Sequence, residues 1–162
     1  MLNKQTFPGD EEMTILAVDD DEGQRLMLNT LLRLEGWDVF LAEDGEEALK
    51  KMALAKMDII ISDIYMPVMD GFKLRNTVRG MPGNETLPFL FISGYDDQYT
   101  LQAVKNPKIE GFFRKGKPVG ELKEWVLYLT APEEKRPKYP PGQKPKLSSF
   151  DPNRDRSHDS RR

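Results

Sequence analysis

Five short apolar runs, at 14–18, 38–42, 58–62, 89–93 and 111–115, alternate along this chain with stretches of helical periodicity, and that alternation constrains the fold most. Strands that alternate with helices signal βα repeats and a parallel sheet. Helices are predicted over 24–35, 46–55, 72–79, 97–105 and 119–129. In the first, Leu28, Leu31 and Leu32 recur at helical spacing and Gly36 is a stop; in the last, Leu122, Trp125, Val126 and Leu129 share one face. Right-handed crossovers then favour an α/β, doubly wound, flavodoxin-like sheet of order 2-1-3-4-5 with five helices.

The third run is apolar at Ile59, Ile60 and Ile61, as befits a strand buried on both faces. It delivers Asp63 into a loop holding Met66-Pro67 and Asp70-Gly71. Open α/β sheets place ligands at the carboxyl ends of their strands, so Asp63 is a candidate for chemistry rather than a plain turn residue. Asp19, Asp20 and Asp21 follow the first run, which the expected order sets beside the third. Carboxylates that converge repel one another unless they share a cation, and Mg2+ suits an all-oxygen donor set. Each acid also has a bland reading: Asp21 is expected to cap the first helix, and Asp70-Gly71 to be turn chemistry.

The chain has 162 residues and a formal net charge of -3. The sign is unevenly spread: residues 131–162 hold 9 Lys/Arg against 5 Asp/Glu, leaving 15 against 22 for residues 1–130. An acidic body is a poor grip for a phosphate backbone. There is no cysteine, which excludes disulfides, thiolate metal sites and a cysteine nucleophile. No apolar run reaches the length of a membrane span, and the first residues lack a signal-peptide core; cytoplasmic residence is the expectation. Residues 131–162 are rich in proline and poor in apolar side chains, so they are expected to be a disordered basic tail. Residues 1–12 are expected to be flexible, leaving 13–130 as the domain. The tail shows no helix-turn-helix pattern, so no DNA-binding domain is expected.

ILAVDDDE, SDIYMPVMDG, FLFISG and GFFRKGKP, in that order, resemble the response-regulator receiver domains of two-component signalling over 13–129, in a single-domain form similar to the chemotaxis response regulator. The resemblance implies that Asp63 accepts a phosphoryl group, as a 4-aspartylphosphate, from a histidine kinase or a histidine phosphotransfer protein. It implies Mg2+ held by Asp19, Asp20, Asp63 and the carbonyl of Tyr65. It implies Ser93 and Lys115 as partners of the phosphoryl oxygens, and Ser93 with Phe112 as the switch. The protein would then catalyse only its own phosphorylation and dephosphorylation. The signal would pass to an unidentified protein target through the fourth helix, with Tyr95 and Tyr99, the fifth strand and the fifth helix. The family usually has proline directly after the lysine; here Lys115-Gly116-Lys117-Pro118 leaves Lys117 as an alternative. Two other readings stay open: a receiver-like interaction module that is not phosphorylated, and a haloacid-dehalogenase-like phosphatase using Asp19 and Asp21. His158, in the tail, is given no role.

Overall fold

The structure is a computed structural model that describes residues 12–94, 100 and 102–143. Five parallel strands, β1 (Thr14–Val18), β2 (Asp38–Ala42), β3 (Ile59–Asp63), β4 (Phe89–Ser93) and β5 (Glu110–Arg114), form one sheet of order β2-β1-β3-β4-β5, the expected topology. Four α-helices lie among the described residues: α1 (Glu22–Leu34), α2 (Gly45–Met52), α3 (Gly71–Arg79) and α4 (Val119–Thr130). The last is the fifth helix of the sequence reading. Residues 97–99 and 101 of the predicted 97–105 helix, with Tyr95 and Tyr99, lie outside the described residues; residue 100 is helical, and from 103 to 106 the chain is not.

Three aspartates start three helices. Asp21 accepts from the Gln24 amide, Asp44 from Glu47 and Asp70 from Lys73, each at 2.8 Å. Each satisfies one of the amide donors that a helix start leaves unpaired. Gly36, at φ +84°, turns the chain out of α1 where a side chain would be strained.

Alternate strand residues serve two cores. Ile15, Ala17, Ile59, Ile61, Leu90, Ile92 and Phe113 face α1 and α4. Leu16, Val18, Ile60, Phe89 and Phe91 face α2 and α3, where Ala48, Leu74 and Val78 meet them. With both faces covered, the sheet can be apolar on both sides, which is why its strands read as runs and not as alternation. Trp125 is core, as expected, and packs on Gly111: a methyl group there would lie 2.5 Å from the indole. No described helix is long and apolar enough to cross a membrane.

The stretch from 131 to 143, inside the expected tail, lies against the body in this structure. A short 3-10 turn, Glu133–Lys135, is followed by Arg136, whose guanidinium donates to the carbonyls of Leu129, Ala131 and Lys108 at 3.1, 3.0 and 2.5 Å.

Candidate functional site

Strand register assembles the site. Val18 of β1 lies beside Ser62 of β3, Asp63 beside Ile92 of β4, and Ser93 beside Arg114 of β5. The next residues on these strands, Asp19 and Lys115, therefore emerge with Asp63 and Ser93 along one edge of the sheet. The Asp19 amide extends the ladder to the Ala42 carbonyl at 3.1 Å, and the Lys115 amide extends it to the Ser93 carbonyl at 2.9 Å.

Lys115 ties the edge together. Its ammonium lies 3.0 Å from Asp63 Oδ2 and 2.9 Å from Asp19 Oδ2. Lys117 is exposed, so Lys115 is the lysine at the carboxylates. The glycine after it has a local reason. The Lys117 amide donates to the Arg114 carbonyl at 3.2 Å, closing a turn with Gly116 at φ +93°, where a side chain is disfavoured.

Asp63 is 8 % exposed and Asp19 fully buried. Asp63 Oδ1 accepts from the Ile64 amide at 2.8 Å, and Asp19 Oδ1 from the Asp21 amide at 3.0 Å. Burial pushes the Asp63 carboxyl above its ordinary value, with the Asp19 charge adding to the rise and the Lys115 and Ile64 hydrogen bonds opposing it. Burial pulls the Lys115 ammonium down but is outweighed by Asp19 and Asp63, so its pKa is raised.

A raised carboxyl has a signed consequence for stability. Its favourable contribution is complete below the unfolded pKa, near 3.8, and is lost as pH rises through the higher folded value. Metal-free Asp63→Asn is therefore expected to be more stable than the parent at neutral pH, the gap closing as pH falls toward the ordinary carboxylate value. Urea midpoints measured in a chelator across that range check it, and a variant less stable at neutral pH would show that the Lys115 contact dominates.

Asp19, Asp20 and Asp63 offer carboxylate oxygens that all lie within 4.8 Å of one another. Asp19 Oδ2 is buried and makes no aligned hydrogen bond, only the ion pair with Lys115. A hard cation fits such a donor set, since it would satisfy that oxygen and relieve the repulsion between acids. Tyr65 is 42 % exposed at the start of the loop leaving Asp63. Asp21, by contrast, caps α1 and is not among the carboxylates that converge with Asp63.

The loop from Asp63 to Asp70 is held at both ends and strained in the middle. The Gly71 amide donates to the Ile64 carbonyl at 2.8 Å, and any side chain at Gly71 would overlap the Asp63 carbonyl. The Met69 amide donates to the Pro67 carbonyl at 2.8 Å around Val68, which has φ +70°. This is a γ-turn of the strained hand, and a β-branched residue is poorly suited to it. Val68→Gly is expected to raise stability by about 1 kcal/mol, read from urea unfolding, with the site chemistry retained; an unchanged or lower midpoint would mean that the turn carries no net strain.

Two site contacts are not legible as motifs. Arg25 Nη1 donates to the Asp19 carbonyl at 2.7 Å, and Ser62 Oγ to the Asp63 carbonyl at 2.8 Å. Arg25 could have been suspected, lying one helical turn past the acidic cluster. Ser93 is fully buried at the end of β4, and Phe112 is partly buried among the side chains on the α3 side of the sheet.

Known proteins with this arrangement set the context. A protein of Leptolyngbya boryana, described as an uncharacterized 14.6 kDa protein, is 36 % identical over 111 residues, which cover 68 % of this chain and 83 % of that one. The transcriptional regulatory protein RprY of Bacteroides fragilis is 33 % identical over 103 residues, 64 % of this chain and 40 % of RprY. The chain thus spans less than half the length of that regulator. The solved structure of chemotaxis protein CheY4 of Vibrio cholerae superposes with a TM-score of 0.68 at 32 % identity, covering 73 % of this chain and 98 % of CheY4. Residues 15–127 match the response regulator receiver domain as a family. With its sheet order, acidic edge and that match in agreement, the chain belongs to the response-regulator receiver domains of two-component systems.

Proposed function

We propose that this domain, spanning 13–130, is a phosphoacceptor whose Asp63 takes a phosphoryl group from a phosphohistidine on a histidine kinase or phosphotransfer protein. The observation that carries the reading is the Lys115 ammonium between Asp63 and Asp19, a cation already aimed at the oxygen that would attack. Asp19, Asp20 and Asp63, with the Tyr65 carbonyl, would hold Mg2+, which when bound neutralises charge on the phosphoryl oxygens.

The remaining chemistry belongs to the side chains. An Asp63 carboxylate oxygen forms the new phosphorus–oxygen bond as the phosphorus–nitrogen bond of the donor breaks, and the imidazole nitrogen keeps the electron pair. Asp63 is held for this by the Ile64 amide on its other oxygen. Lys115 then pairs with the phosphoryl group, and the Ser93 hydroxyl donates to it. Little covalent work falls to the protein; positioning and charge do the rest. The new dianion draws Ser93 toward it, and Phe112 turns further inward, altering β5 and the neighbouring helices to change the binding of a downstream protein.

Beryllofluoride, a tetrahedral phosphoryl mimic, tests the assembled site. The thermal midpoint is expected to rise more with Mg2+ and beryllofluoride together than with either alone, and not in Asp63→Asn. No joint effect in the parent protein would overturn the reading.

A further inference from the structure

Among the described residues, β5 is an edge strand, paired with β4 alone. Its outer side adjoins one flank of α4, and the helix's own contacts show which. Lys123 pairs with Glu35 at the end of α1 at 2.6 Å, so the Lys123 side faces α1. Glu121, Glu124 and Tyr128 lie on the other side of the helix, with Tyr128 linked through Arg136 to the Lys108 carbonyl just before β5. An acidic, aromatic flank next to a strand edge is a surface that other proteins can engage.

In this structure the chain's own continuation lies on that flank. Beyond α4, Arg136 caps the helix end by donating to the Leu129 and Ala131 carbonyls, and reaches the Lys108 carbonyl in the loop that enters β5. Its guanidinium lies 5.3 Å from the Tyr128 ring centre, a cation–π contact. Glu133 pairs with Lys108 at 3.2 Å. The segment then runs back along the helix, so that Gly142 comes against the Glu121 carboxylate and a side chain at 142 would overlap it. Pro137, Pro140 and Pro141 stiffen this path and lower the entropy lost on docking. The contacts are mostly hydrogen bonds and an exposed ion pair, which places the segment among the parts that open most easily.

We propose that residues 132–143 are an intramolecular strap: they cover the β5–α4 flank while Asp63 is unmodified and leave it when Asp63 carries a phosphoryl group, freeing the flank for a protein partner. The coupling in this proposal rests on the phosphoacceptor reading. Its route is short. Lys115, which binds Asp63, begins the turn that leads into α4, and Glu121, where the strap ends, donates its amide to the Pro118 carbonyl at 2.9 Å. A phosphoryl group that recruits Lys115 pulls on the helix start where the strap lands.

Trypsin cleavage of the full chain between Lys138 and Tyr139, normalised to the rate in urea, reads strap opening. Arg136→Ala is expected to speed this cut about tenfold, the factor for a loss of about 1.4 kcal/mol, with the thermal midpoint unchanged; Arg136→Lys should fall between. Cleavage equally fast in the parent and Arg136→Ala would show that no strap exists. Treatment with acetyl phosphate and Mg2+ should raise the parent's rate toward that of Arg136→Ala, and leave Asp63→Asn unaffected. Intact mass on the same samples separates the failures. An adduct without faster cleavage overturns the coupling alone. No adduct removes the phosphoacceptor reading and the coupling with it, while the Arg136 comparison still decides the strap.

Discussion

Glu110→Ala is expected to lower stability by about 3–5 kcal/mol, the cost of leaving buried charges without their partner. Glu110 is 3 % exposed at the start of β5 and sits between two arginines of α3. Its Oε1 lies 2.5 Å from Arg75 Nη1 and its Oε2 3.4 Å from Arg79 Nη2. Oε1 also accepts from the Lys105 amide at 3.0 Å. Arg75 is 4 % exposed, donates to the Ala103 carbonyl at 2.9 Å and lies over the Phe91 ring. Burial pulls the Arg79 guanidinium down, Glu110 opposes that, and Arg75 adds to it. Without Glu110, two guanidiniums would face each other in a site that water barely reaches. Urea unfolding with an unchanged slope measures the loss. Glu110→Gln keeps an acceptor for the Lys105 amide and should cost less than alanine. A loss below about 1 kcal/mol for alanine, the size of an exposed pair, would show that the arginines find water or other acceptors. The same network clamps α3 to β5 and to the chain just before it, so it sets where β5 begins relative to the acidic edge.

That network also marks where the sequence stops being legible. β1, β2 and β4 coincide with their apolar runs, because burial on both faces of a parallel sheet writes itself directly as hydrophobicity. β5 begins one residue earlier than read, at Glu110, a charged residue that joins the sheet because its partners come from a helix 35 positions away. β3 is also displaced by one. Asp58 stays outside it, its carboxylate accepting from the Thr14 amide at 2.7 Å, and Asp63 falls inside it. The Asp21 cap was visible, and it implies the observed start of α1 at Glu22, two residues before the apolar periodicity becomes apparent.

At the site, Asp19, Asp20 and Asp63 could be named because each ends or follows a strand at the same edge, whereas Ser93 and Lys115 entered through the family resemblance. The choice between Lys115 and Lys117 needed the turn at Gly116. Arg25 and Ser62 act on backbone carbonyls, a contact that leaves no pattern in spacing. The stretch from 131 to 143 shows the same limit. Its composition offers little to bury, and what holds it is polar, chiefly one guanidinium meeting three carbonyls, which no hydropathy profile records.

The second large effect concerns Asp63 itself. Asp63→Asn preserves the shape of the side chain and can still accept from the Ile64 amide through its carbonyl oxygen, so the fold and the cleft should survive. It removes the anionic oxygen that would attack phosphorus, and with it the ion pair to Lys115. Asp19 stays paired with Lys115 and fully buried, a poor acceptor in reserve. Phosphorylation should therefore be abolished and not merely slowed. Asp20 is exposed and Asp21 is committed to its cap, so neither is placed to substitute.

Intact-mass spectrometry of the parent protein and Asp63→Asn, after incubation with acetyl phosphate and Mg2+, tests this most directly. The expected result is a single phosphoryl adduct on the parent that is lost on treatment with hydroxylamine, as an acyl phosphate is, and is absent from the variant. An untouched parent protein, or an adduct of equal yield in the variant, would contradict the assignment of Asp63 as the phosphoacceptor.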